Sequence, residues 1–145
     1  MEIYTIGFTQ TTAEGFFTRL TDARIERLLD VRLNNSSQLA GFAKAKDLPY
    51  FLRELVGATY EHEPMLAPSQ DMLDEYKKRK GHWSAYEAQF FDLLKSRHIE
   101  TVLSAADFDA RTALLCSEAT ADQCHRRLVC EYLAQHWPSV RAIHL

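Results

Sequence analysis

The residues best suited to chemistry lie close together in the last third of the chain. Cys116 and Glu118 form a Cys-x-Glu unit, and Cys124, His125 and Arg126 follow shortly after it. A thiol, a carboxylate, an imidazole and a guanidinium group can act as nucleophile, acid or base, and anion binder. The spacing therefore predicts a functional site around these five residues.

Cys124 is the candidate nucleophile, and Glu118 is the other candidate catalytic residue. The surrounding pattern predicts a helix over residues 122–135, with Thr120 or Asp122 as its cap and Gln123 as the capping-box partner of Thr120. A helix N-terminus and nearby cationic side chains lower the pKa of a thiol, which predicts a reactive thiolate. The alternative is a core position, because an apolar helical stripe begins at Cys124. Its further members are Leu128, Tyr132 and Leu133.

Cys116 is interpreted as a ligand-lining or structural residue rather than a nucleophile. It ends an apolar strand, and both the dry strand end and the nearby Glu118 carboxylate disfavour its thiolate. A phosphatase-type loop needs arginine six positions after the cysteine, where this chain has Asp122. Residues 117–121 also look like a poor anion cradle, which argues against a rhodanese-like sulfur carrier.

Glu118 and Arg126 are predicted to work in recognition. Glu118 is open to general acid or base catalysis, to an ion pair with Arg126 or Arg32, and to a hydrogen bond with a ribose-type hydroxyl. The guanidinium fork of Arg126 suits an anionic ligand and a carboxylate equally well.

A metal site is not predicted, although four residues here are potential zinc ligands. They are Cys116, Glu118, Cys124 and His125. Their spacing matches no recognised ligand pattern, and adjacent side chains on a helix diverge by about 100°. No cofactor is indicated.

The elements that position these residues alternate between strands and helices. Strands are predicted over residues 2–6, 25–31, 58–62, 112–116 and 140–145. Helices are predicted over residues 12–21, 47–56, 70–79, 84–96, 99–106 and 122–135, and residues 33–43 read as irregular. This alternation predicts a three-layer α/β domain over residues 1–145, Rossmann-like, with about five mostly parallel strands covered by helices on both faces.

Parallel strands place their carboxyl ends along one edge, where open α/β sheets bind ligands. Asp30 and Arg32 end the second strand, so they join the fourth-strand residues Cys116 and Glu118 at this edge. Asp30, Arg32, Cys116, His125 and Arg126 are therefore the candidate ligand-binding residues.

Composition narrows the function classes. The net charge of −3 argues against broad electrostatic binding to nucleic acid. The one basic run, residues 77–80, is interpreted as a solvated helix end before Gly81. The sequence has no long apolar run of the kind that spans a membrane, and three cysteines without an export signal predict a cytoplasmic protein.

Three segments give the chain a family resemblance. They are Tyr4-Thr5-Ile6-Gly7, then Leu29-Asp30-Val31-Arg32 with Gly41-Phe42-Ala43-Lys44, and finally Leu114-Leu115-Cys116-Ser117-Glu118 with Cys124-His125-Arg126-Arg127. With these segments the chain resembles the domain of unknown function 488 family. The chain differs from common members at Phe8, where they often have histidine, and at Ser37-Gln38, where they often have Ser-Arg. The resemblance implies an α/β fold and a shared site, and no reaction.

The leading interpretation is an enzyme-like or small-ligand site for an anionic or nucleotide-like molecule at the carboxyl edge of the sheet. The alternative is a non-catalytic interaction or nucleic-acid-associated module that uses residues 77–80 together with Trp83 and Tyr86. The sequence has no Gly-rich phosphate loop, no Gly-x-Ser-x-Gly elbow and no carboxylate cluster of the two-metal type.

Overall fold

A five-stranded sheet runs through the computed structural model, which describes residues 1–36 and 40–145. The strands are β1 (Glu2–Gly7), β2 (Arg27–Asp30), β3 (Thr59–His62), β4 (Thr112–Cys116) and β5 (Arg141–His144). Their order is β3-β2-β4-β1-β5, and every pairing between these described strands is parallel. The predicted α/β class is therefore confirmed.

Helices connect the strands and cover both faces of the sheet. They are α1 (Ala13–Asp22), α2 (Leu48–Phe51), α3 (Gln70–Lys77), α4 (Trp83–Ser96), α5 (Ile99–Val102) and α6 (His125–His136). A π-helical turn, Leu52–Val56, extends α2, and short 3₁₀ turns occur at Gly41–Ala43, Pro64–Leu66 and Ala105–Asp109. The sequence differences noted at Ser37 and Gln38, and part of the predicted irregular segment, lie outside the described residues.

Side-chain alternation along the strands produces two separate cores. Ile3 and Leu114 face one side, where they pack in a cluster with Leu128 of α6 and Phe90 of α4. The neighbouring residues on each strand face the other side, against α1 and α2. Because parallel strands covered on both faces bury both sets of side chains, β4 is buried along its whole length.

The predicted start of α6 is wrong by three residues. The helix begins at His125, and Cys124 is its N-cap with an extended backbone (φ −137°, ψ 137°) rather than a residue of the first turn. Neither Thr120 nor Asp122 is the cap. The segment after β4 is instead held across the end of β1, where the backbone N–H of Thr9 donates to the carbonyl of Ser117 at 3.1 Å. This long-range contact overrides the local capping pattern.

The other element boundaries lie close to their predicted positions. The second predicted strand is shorter, β2 covering four residues, and Thr12 caps α1 by accepting from the backbone N–H of Gly15 at 3.0 Å. Among the helices of the described residues, none is long and apolar enough to cross a membrane.

Candidate functional site

A cavity of about 310 Å³ opens at the carboxyl edge of the sheet, beside the ends of β2 and β4. These strands are neighbours, with Asp30 in register with Leu115. Five of the predicted site residues line the cavity: Arg32, Cys116, Glu118, Cys124 and His125. Asp30 and Arg126 do not line it. Both are buried, and each is hydrogen-bonded to a lining residue, Asp30 to Arg32 and Arg126 to the backbone carbonyl of Glu118.

One wall of the cavity is aromatic, and sequence reasoning did not place it in this site. Tyr76 of α3 stands with its ring centroid 4.9 Å from Tyr86 and 5.6 Å from Trp83, both on α4. The rings of Trp83 and Tyr86 stack at 5.2 Å with an angle of 27°. In the alternative interpretation from the sequence, Trp83 and Tyr86 are part of an interaction surface. The short connection between α3 and α4 is the sequence feature from which their packing beside Tyr76 could have been predicted.

Asp30 and Arg32 form a buried ion pair with each other. Arg32 donates from Nε to Oδ1 at 2.9 Å and from Nη2 to Oδ2 at 2.8 Å, and its backbone N–H also reaches Oδ1. The hydroxyl of Tyr60 donates to Oδ2 at 2.6 Å. The relative exposure of the two side chains is 2% for Arg32 and 0% for Asp30. The suggested ion pair between Arg32 and Glu118 is therefore wrong.

The pKa of the Asp30 carboxyl lies below its ordinary value of 3.8. Burial by itself raises this pKa and is the largest single influence. The hydrogen bonds and charge of Arg32, together with the Tyr60 hydroxyl, outweigh burial and lower the pKa. Asp30 is thus a carboxylate that fixes the orientation of Arg32.

One nitrogen of Arg32 has no hydrogen-bond partner. Among the described residues three buried side-chain nitrogens are in this position: Nη2 of Arg27, Nη1 of Arg32 and Nε of Arg127. Of these arginines only Arg32 lines the cavity. A buried N–H of a charged group without an acceptor is costly, so Nη1 of Arg32 is a donor whose hydrogen bond is not made within the described residues.

His125 lies on the cavity floor with a fixed tautomer. Its Nε2 is 2.7 Å from the carbonyl oxygen of Val31, and because a carbonyl can only accept, Nε2 carries the proton. Nδ1 then keeps its lone pair and lies 3.4 Å from Sγ of Cys116. The same sulfur is 3.8 Å from Nε2, so it lies beside the ring rather than along the Nδ1 lone pair.

The two thiols on the floor have opposite pKa shifts, and both directions differ from those predicted. Burial raises the pKa of the Cys116 thiol. Hydrogen bonds from Cys124 and from the backbone N–H of Ser117, with the charge of Arg126, outweigh burial and lower it. The pKa of Cys124 is raised, because its proton is held in the hydrogen bond to Cys116 and because it is buried. The helix-terminus basis for a Cys124 thiolate is therefore wrong.

Glu118 lies at the rim of the cavity and makes contacts through both its side chain and its backbone carbonyl. Its carboxylate pairs with Lys77 at 2.7 Å, and both side chains are about half exposed. Its backbone carbonyl accepts from Nη1 of Arg126 at 2.6 Å, so the predicted carboxylate–Arg126 pair is also wrong. A side chain at Gly7 would stand 1.7 Å from that carbonyl oxygen, so the close approach requires glycine.

The basic run is neutralised by its neighbours. Lys77 pairs with Glu118, Lys78 lies 3.4 Å from Asp74, and Arg79 pairs with Glu75 at 2.9 Å. Three of the four cations therefore already have acidic partners, which is the solvated helix end expected from the sequence.

The chain belongs to the family described as Domain of unknown function DUF488, whose family model matches residues 12–133. The match includes the Asp30–Arg32 pair, the aromatic wall and the cavity floor formed by Cys116, Cys124 and His125. It begins after the Tyr4–Gly7 segment. Neither the comparison with curated proteins nor the comparison with solved structures gave a significant match.

Proposed function

We propose that the cavity at the carboxyl edge of the sheet binds a small anionic molecule with a planar part, as a nucleotide-like ligand has. The observation that carries this proposal is Arg32, a residue that lines the cavity and whose buried guanidinium keeps Nη1 without a hydrogen-bond partner. An anionic oxygen is the acceptor that suits a guanidinium best.

The contacts around Arg32 support the anionic part of the proposed ligand. Asp30 occupies Nε and Nη2, which leaves Nη1 to a ligand while the ion pair holds the guanidinium in place. Lys77 and Lys78 also line this cavity, paired with Glu118 and Asp74, so an anionic ligand would compete with these carboxylates for the two lysines. Nη1 is covered by surrounding atoms, so an anion could bind it only after the side chains around the guanidinium move.

The aromatic wall would bind the planar part of the proposed ligand by stacking. Tyr76, Trp83 and Tyr86 present ring surface across the cavity, and stacking on such rings contributes about 1–3 kcal/mol per nucleobase. The volume of about 310 Å³ lies at the small end of the usual range for ligand sites, which suits a mononucleotide-sized molecule better than a polymer.

The alternative, a nucleic-acid-associated module, has less support. The cations of residues 77–80 are mostly paired with acidic groups, and Tyr86 is 5% exposed. A flat contact face needs free cations and exposed rings.

Tryptophan fluorescence tests the proposal, because Trp83 lines the cavity and the other tryptophan, Trp137, packs against Phe108 elsewhere. A Trp137→Phe variant leaves Trp83 as the only reporter. Titration with inorganic phosphate, pyrophosphate and adenosine monophosphate should give saturable quenching for at least one anion. Arg32→Lys should weaken that binding by about tenfold or more, since a charge-assisted hydrogen bond contributes about 1.5–3 kcal/mol.

Two further variants keep the test informative if Arg32→Lys is unstable. Lys77→Gln removes a charge that lines the cavity, whereas Arg79→Gln removes a charge on the same turn that does not. Weaker binding in Lys77→Gln alone supports the proposal. Binding that is absent for all anions, or equal in all variants, overturns it, as does tighter, steeply salt-dependent binding of an oligonucleotide.

A further inference from the structure

We propose that Cys116, Cys124 and His125 form a binding site for a thiolate-preferring divalent cation, with Zn²⁺ as the best match. The two sulfurs and a ring nitrogen of His125 all lie within 4.8 Å of one another, and all three residues are buried. The same three residues line the cavity, so a bound ion would face it.

The hydrogen bond of His125 is the one that a metal-binding histidine makes. A histidine that binds a metal nearly always donates its other ring N–H to a carbonyl or carboxylate. Here Nε2–H donates to the carbonyl of Val31, which leaves the Nδ1 lone pair free. Nδ1 lies 3.4 Å from Sγ of Cys116, and the imidazole would have to turn for its lone pair to point at an ion between the sulfurs. The edge-on ring of Phe90, at 5.4 Å between centroids, holds the imidazole from another side.

One of the two objections raised by the sequence does not apply to this backbone. Adjacent residues on a helix point about 100° apart, which would separate Cys124 from His125. Cys124 is instead extended, with φ −137° and ψ 137°, and the helix begins only at His125. The change of direction at this junction brings both side chains to the end of β4, beside Cys116.

The donor set determines the kind of ion. Two thiolates and one neutral imidazole balance the charge of a divalent cation, and three protein ligands with an open fourth position are the usual arrangement of catalytic zinc. Zn–S distances of about 2.3 Å in a tetrahedron place two sulfurs about 3.8 Å apart. The two sulfurs lie within 4.8 Å of each other, so they would have to approach by at most about 1 Å. Arg126, with Nη1 3.6 Å from Sγ of Cys124, stands as an outer partner of that thiolate.

Titration of the reduced chain of residues 1–145 with Co²⁺ tests the site without any anionic ligand. One equivalent should produce the visible bands of a tetrahedral ion and a near-ultraviolet thiolate charge-transfer band. Cys116→Ser and Cys124→Ser should each weaken binding by more than the roughly 10–100-fold that loss of an outer partner costs. Cys130→Ser is the matched control, since Cys130 is equally buried but lies away from the site, and its spectrum should not change.

Protection of the wild-type chain covers the case in which a serine variant does not fold. Stoichiometric Zn²⁺ should slow alkylation of Cys116 and Cys124 and leave Cys130 unaffected. The absence of a thiolate band, or equal alkylation with and without Zn²⁺, overturns the proposal. Anion titrations run with a chelator report on the Arg32 site alone, so failure of either proposal is recognised separately.

Discussion

Replacing Asp30 by asparagine removes the counter-charge of a guanidinium that has almost no contact with water. Arg32 keeps its charge, and its side chain is 2% exposed. Removing one partner of a buried ion pair costs about 3–5 kcal/mol, because the remaining charge is left uncompensated. Typical domains unfold at a cost of about 5–15 kcal/mol, so we expect Asp30→Asn to lose a large fraction of the stability.

Thermal and urea unfolding followed by circular dichroism measures this loss. For a chain of this size each kcal/mol shifts Tm by about 3–4 °C, so Tm should fall by roughly 10–20 °C. Glu61→Gln is the control, because it breaks the Arg27–Glu61 pair, in which the Glu61 side chain is 56% exposed, and should cost less than about 1 kcal/mol. Adding Arg32→Met to Asp30→Asn should recover part of the stability, since it removes the uncompensated charge.

The pH dependence gives an independent check on the same pair. The pKa of Asp30 is lowered on folding, so its ionised form is stabilised by the fold. That contribution is complete above the unfolded pKa of about 3.9 and is lost as the pH falls through the lower folded value. The difference between wild type and Asp30→Asn should therefore be constant near neutral pH and shrink below about pH 4. A difference under about 1 kcal/mol at pH 7, or one that grows in acid, would refute this reasoning.

Two further substitutions test the edge of the site. Gly7→Ala should lower the free energy of unfolding in urea by about 1–3 kcal/mol, because the new methyl group would stand 1.7 Å from the carbonyl oxygen of Glu118. Gly41→Ala is the control, since Gly41 has open space around it, and it should change the same free energy by less than about 0.5 kcal/mol. Equal effects of the two substitutions would contradict the packing described. Lys77→Met should change the unfolding free energy by less than about 1 kcal/mol, because the Lys77–Glu118 pair is about half exposed, and a loss above 2 kcal/mol would show that this pair is a structural clamp.

The parallel α/β arrangement could be predicted from the alternation of strands and helices, whereas the side-chain contacts at the carboxyl edge of the sheet could not. Alternating strands and helices placed Asp30 and Cys116 at one edge, whereas the order of the strands, which makes β2 and β4 neighbours, was not predicted. That prediction needs only the rule that parallel strands end together.

The pairing of charges depends on contacts that no local pattern encodes. Glu118 meets Lys77, a residue 41 positions earlier in the chain, and Arg32 turns back to Asp30 only two positions away. The aromatic wall needs α3 and α4 to pack side by side, with Tyr76 facing Trp83. The sequence contains the rings and does not say which surface they share.

The start of α6 shows where a local rule was overridden. Thr120 and Gln123 have the spacing of a capping box, and such a box would have made Cys124 helical. The carbonyl of Glu118 is instead drawn to Arg126 at 2.6 Å, over a glycine at position 7. The wrong position of Cys124, and one of the two arguments against a metal site, both came from this misplaced helix end.

A crystal structure of the chain with the best-binding anion of the fluorescence titration would test the proposed function most directly. We expect an anionic oxygen within hydrogen-bond distance of Nη1 of Arg32, with the Asp30–Arg32 pair intact and any planar part of the ligand against Tyr76, Trp83 and Tyr86. A ligand bound elsewhere, with Nη1 still unpaired, would contradict the assignment of this cavity as the binding site.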